Sequence, residues 1–165
     1  MNCGYGAQDI ADLRVSEINF EKEYIDRKRS KTKIRARHKL WPVTLQLIKA
    51  EMEPDAVGDD LVFRTKLGNG NALVQSRWVD GKYKRSDSIS CMLWRVQRTT
   101  GINEGRSFYS LRRTGATMIE RINPAVTEMY LAHSEKGMKK SYAERDWDSL
   151  GRALDDLKRQ VVLDS

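Results

Sequence analysis

The chain has 165 residues, 39% of them hydrophobic, which fits one domain with one core and leaves no room for a second of ordinary size. Thirty Lys and Arg against 23 Asp and Glu leave a net charge of +7, so a polyanion is the first partner to consider. Cys3 and Cys91 are too few for a disulfide framework or a cysteine-based zinc site and favour a reducing cytoplasm, and the two histidines, His38 and His133, stand too far apart in sequence to suggest a metal cluster.

No apolar run reaches the roughly 18–20 residues that span a bilayer, and the first residues lack the basic and apolar regions of a signal peptide. Gly68-Asn69-Gly70 sits among turn residues and opens no helix, so neither a P-loop nor a dinucleotide fingerprint is present, and no cofactor or metal is expected.

A small helix is expected first, then a basic hairpin, then mostly helices, which makes the class α+β, mainly α. Residues 27–39, RKRSKTKIRARHK, hold eight Lys or Arg and no acid. Residues 24–29 read as a strand, 34–40 alternate with period two, and 30–33 supply the turn, with Lys31 or Lys33 near the tip. Inert surfaces mix acids with bases, so the missing acids favour phosphate contact, with Arg29, Lys33, Arg35 and Arg37 as the candidates.

Pro42 opens a helix through about Met52 with Val43, Leu45, Leu47, Ile48 and Met52 as its apolar face. Residues 53–60 read as an acidic loop, 61–63 as a short strand, and 65–86 as turn-rich with a hairpin signal at Asp80-Gly81. Asp87 or Ser88 caps a helix to about Thr100 that presents Ile89, Met92, Leu93 and Val96 and stops at Gly101. Helices over 109–122 and 124–132 follow, then a helical turn around Tyr142. A last helix over 148–163 carries a stripe of Leu150, Ala153, Leu154, Leu157 and Val161.

Three segments carry a resemblance: FYSLRRTGAT over 108–117, Leu131-Ala132-His133-Ser134, and Lys139-Lys140-Ser141-Tyr142. In this order they resemble the catalytic half of the tyrosine recombinase (phage integrase) family, where an Arg in an H-x-x-R-type motif, a His in an L-G-H-type motif and a Tyr nine residues later surround one scissile phosphate. The interval from His133 to Tyr142 is nine residues. Residues 29–33 resemble the family's hairpin lysine, and 3–13 its first box, so the likeness runs from Cys3 to about the last helix.

The resemblance implies a single catalytic domain over 1–165, N-terminally truncated and without a core-binding domain, that breaks and rejoins double-stranded DNA through a 3′-phosphotyrosyl link. Tyr142 would be the nucleophile. Arg112 would clamp the phosphate beside His133, and Lys31, or Lys33 two residues on, would protonate the leaving 5′ hydroxyl. A phosphodiester repels nucleophiles through its non-bridging oxygens, and a guanidinium fork answers that with two parallel hydrogen bonds and a permanent charge. A phenol with a pKa near 10 becomes a usable nucleophile beside such charge. The link conserves the ester bond, so rejoining needs neither ATP nor a metal. Arg113 is a flanking DNA contact, and the last helix suggests a homo-oligomer on DNA.

Two positions depart from the family pattern. Gly6 stands where the first box carries an Arg, and Tyr109 replaces the first His of H-x-x-R while keeping a hydroxyl donor. Losing one transition-state donor typically costs roughly 10²–10³ in rate, so a recombinase-derived DNA-binding module that has lost catalysis is the alternative. Arg14 and Arg106 are candidates for restoring the charge, and Asp9 matches an acidic position whose implied job is to orient its neighbours.

Overall fold

Alternation along residues 24–39 builds the sheet that organises one end of the molecule. In the computed structural model, which describes residues 1–66, 71–102, 105–133 and 145–161, strands β1 (Ile18–Asn19), β2 (Tyr24–Lys28) and β3 (Arg35–Lys39) pair antiparallel in that order. Ile25 faces His38 and Asp26 faces Arg37 across the register. Ile25, Arg27, Ala36 and His38 are buried, so period two holds even though one inward residue is charged. Arg27 tolerates this because it pairs with Glu17 at 3.3 Å and donates to the Asp9 carbonyl at 2.5 Å.

Helix α1 (Ala7–Ala11) precedes the sheet, and α2 (Pro42–Glu51), opened by its proline, follows it. Leu45 and Ile48 turn inward while Val43 and Leu47 are exposed, a narrower apolar face than the sequence suggested. Residues 61–63 are not a strand: Leu61 makes one isolated bridge to Arg14, and Val62 is plugged into the core beside Leu13 and Ile18. The hairpin at Asp80-Gly81 is longer than expected, pairing β4 (Val74–Val79) with β5 (Lys82–Asp87) through two left-handed residues at φ 50° and 72°.

Helix α3 (Ser88–Thr100) is capped as expected, the Asp87 carboxylate accepting from Ser90 N–H at 2.9 Å and Gly101 closing it at φ 66°. Met92 and Val96 are nonetheless exposed, and Ile89 and Gln97 are the buried positions. Helix α4 (Phe108–Ile122) leads through a 3₁₀ turn (Pro124–Val126) into α5 (Thr127–Tyr130). Helix α6 (Trp147–Val161) lays Leu150, Ala153, Leu154 and Leu157 against Ile119, Met129, Tyr130 and Trp41. Trp41 Nε1 also donates to the Leu154 carbonyl at 2.9 Å, so the α6 stripe covers this chain's own core. The architecture is α+β, mainly helical.

Candidate functional site

Arg112 sits one turn and a half into α4 and is 3% exposed. Its guanidinium donates to the Gly4 carbonyl, to the Leu131 carbonyl at 2.7 Å and to His133 Nε2 at 3.4 Å. A guanidinium only donates, so His133 Nε2 accepts and the ring proton belongs on Nδ1, which lies 3.2 Å from Glu128 Oε2. Burial draws the pKa of Arg112 below its ordinary value, and the positive charge of Arg29 adds to the fall against the opposing pull of Asp9.

Local backbone delivers these groups. Ala132 occupies the left-handed region at φ 49°, uncommon for a residue with a side chain. The turn it makes lets consecutive carbonyls serve different elements: Leu131 O takes Arg112, and Ala132 O takes the Thr32 hydroxyl of the β2–β3 loop at 2.9 Å. Tyr130 anchors the same turn, its hydroxyl donating to the Met1 carbonyl at 2.6 Å. Gly115 makes room for it, since a Cβ there would lie 2.1 Å from that hydroxyl. His38, fully buried and brought to a pKa of about 4 by that burial, donates from Nε2 to the Tyr130 carbonyl at 3.0 Å as a neutral strut.

Next to this cluster lies a cleft of about 480 Å³ lined by Gly6, Asp9, Arg29, Lys31, Arg85 and Tyr109 among others. Lys31 is exposed and without an ion-pair partner among the described residues. Tyr109 is 58% exposed, one helical turn before Arg112. Arg29 is enclosed, its Nε donating to both oxygens of the buried Asp9 carboxylate at 3.0 Å. Asp9 Oδ2 also accepts the Gly6 N–H at 3.0 Å.

The cations of the basic run do not share one fate. Arg35 forms a fork on Asp26 at 2.7 and 2.8 Å, and Arg37 reaches the same carboxylate at 2.8 Å while lying over the Tyr24 ring. Lys39 pairs with Asp155 at 2.7 Å. Lys28, Lys31 and Lys33 have no ion-pair partner among the described residues, and the exposed Arg113 has none either. Arg14 turns away from the cleft to the Asp59 carbonyl, and Arg106, exposed, receives Gln97 on its carbonyl.

Tyr142 lies outside the described residues. Burial raises the phenols of Tyr5 and Tyr130 well above their ordinary range and pushes the Cys3 thiol up to about 12, so none of the three offers an anionic nucleophile near neutrality. Among the described residues no three metal-ligating side chains cluster, and no helix is long and apolar enough to cross a membrane.

No protein-family model and no curated protein matches the sequence. Solved structures do match its fold. The crystal structure of XerA recombinase aligns with 99% of this chain and 54% of its own at a TM-score of 0.57 and 13% identity. The Tn1549 transposon integrase in complex with transposon right-end DNA aligns with 98% of this chain and 56% of its own at 0.57 and 13%. The same integrase in complex with a circular intermediate DNA gives 97%, 56%, 0.57 and 14%. The chain therefore adopts a tyrosine recombinase-like fold and spans a little over half the length of these neighbours.

Proposed function

We propose that this chain is the catalytic domain of a site-specific DNA recombinase or integrase. The observation that carries this is the convergence of Arg112, His133 and the Lys31 loop, from three distant stretches of sequence, in a fold shared with recombinases of which one is solved on transposon DNA. Arg112 would clamp the non-bridging oxygens of a phosphodiester beside His133. The Tyr142 phenol would give its proton to solvent and its oxygen would attack phosphorus, forming the phosphotyrosyl bond as the bond to the 5′ oxygen breaks, and Lys31 or Lys33 would give that 5′ oxygen its proton. Rejoining is the reverse, with a 5′ hydroxyl as nucleophile.

The test is a nicked duplex bearing the element's own end, scored for protein–DNA adduct on a denaturing gel. Adduct is expected with the parent, and its loss with Tyr142→Phe. Equal adduct from Tyr142→Phe refutes the assignment.

A second reading is favoured by Gly6, which offers no side chain to the cleft: a recombinase-derived module that binds DNA without cutting it. Salt-sensitive binding with no adduct under any condition selects it. A homo-oligomer on DNA belongs to either reading. Because the α6 stripe packs on its own core, an oligomer built through that helix would pass it whole to a neighbour, which sedimentation across protein concentrations with and without DNA would detect.

A further inference from the structure

Nothing in the backbone requires glycine at position 6. Its φ is −85°, and a Cβ there would meet only Asp9 Oδ2, at 3.5 Å. Asp9 thus stands buried with no cation from its own helix, and Arg29 fills that place from the end of β2. It does so through Nε, so the four N–H groups on its two Nη atoms have no partner among the described residues, although the side chain is only 13% exposed. Neither Nη is among the buried side-chain atoms that lack a partner, and Arg29 lines the cleft, so these charged donors face its solvent and are free to take an acceptor that enters it.

Arg112 and Arg29 are clipped to the same two segments. Arg112 holds Gly4 O while Arg29 holds Asp9 in the helix that follows, α1. Arg112 also holds Leu131 O, while Thr32, three residues past Arg29, holds Ala132 O. One carboxylate, Asp9, acts on both guanidiniums, bonded to Arg29 and drawing on Arg112 through space, so among the described residues the three groups carry one positive charge in excess. A phosphodiester carries one negative charge on two equivalent oxygens, which matches that excess in sign, size and number of acceptors.

We propose that Arg29 is a second clamp on the phosphodiester held by Arg112, delivered from the β2–β3 loop and positioned by Asp9 in the space open at Gly6. This rests on the reading of the site as a phosphodiester seat. The probe is dimethyl phosphate, titrated into protein carrying ¹⁵N-arginine while the side-chain N–H signals of Arg29 and Arg112 are followed.

Both signals are expected to move with one dissociation constant. Arg29→Lys, which keeps a charge for Asp9 but loses the fork, is expected to weaken binding about tenfold or more. A stationary Arg29 signal beside a moving Arg112, with Arg29→Lys leaving the constant unchanged, overturns the proposal and leaves the phosphodiester seat intact. If neither signal moves, the seat itself fails and the proposal with it. Should Arg29→Lys fail to fold, as judged by its thermal transition, the Arg29 signal in the parent protein decides alone.

Discussion

Helix propensity and packing disagree about Gly115→Ala, and the structure says which prevails. In the middle of α4, alanine should be favoured over glycine by about 1 kcal/mol. The added Cβ, however, would sit 2.1 Å from the Tyr130 hydroxyl and 3.1 Å from Cζ. Tyr130 cannot step aside cheaply, because its ring is fully buried among Ile119, Met129 and Leu154 and its hydroxyl is bonded to the Met1 carbonyl. Displacing it forfeits that hydrogen bond, about 1 kcal/mol, and adds overpacking strain of about 1–3 kcal/mol.

The expected net result is destabilisation by about 1–3 kcal/mol, read from urea unfolding midpoints at constant slope. The Tyr130→Phe background removes the offending oxygen, so Gly115→Ala should cost at least about 1 kcal/mol less there. A Gly115→Ala protein as stable as its parent, or an equal cost in both backgrounds, would refute the reasoning.

Gly4→Ala should cost about 2–4 kcal/mol, since it adds a left-handed alanine to a Cβ 2.7 Å from the Tyr130 ring, whereas Gly58→Ala, at the same φ of 56° with nothing within 4 Å, should cost only the backbone part of about 1–2 kcal/mol; thermal unfolding of the pair checks this. His38, whose pKa falls from 6.5 to about 4 on folding, is neutral in the folded state while the unfolded chain takes up a proton between those values. Stability should therefore be complete above pH 6.5 and decline by about 3 kcal/mol as pH falls to 4, and His38→Gln should flatten the decline in urea midpoints taken across that range. In duplex DNA binding, Lys31→Ala with Lys33→Ala should reduce the slope of log affinity against log salt by about 2, at about 0.9 per phosphate contact, and Arg35→Gln by less than half that, because Asp26 already holds Arg35; equal slopes would contradict the division of the hairpin cations.

Sequence revealed the parts whose signals are local. Period two drew β2 and β3 to within a residue, and Asp87 and Gly101 drew both ends of α3. The α6 stripe also found the core it called for, but other faces that needed a partner from elsewhere did not. Met92 and Val96 lie at helical spacing, but among the described residues no element covers that face, so the apolar stripe of α3 stays in solvent. Leu61-Val62-Phe63 has strand composition and finds only a single bridging residue. The basic run starts one residue after Asp26, the carboxylate that register sets opposite Arg37, so the acid that neutralises two of its arginines lies just outside it in sequence.

The site divides the same way. The order and spacing of the motifs pointed to Arg112, His133 and Lys31. The support beneath them did not show, because Asp9 meets Arg29 across 20 residues and Gly115 meets Tyr130 through an absence of atoms. A glycine inside an otherwise strong helix was the available clue to a close approach.

The Thr32–Ala132 hydrogen bond joins positions 100 residues apart. A hairpin tip and a post-helical turn are thereby pinned to each other, so the backbone beneath the Lys31 ammonium is tied to the backbone beneath the His133 imidazole. A displacement of the hairpin tip therefore pulls on the turn that carries His133, whose ring nitrogen accepts from the buried Arg112.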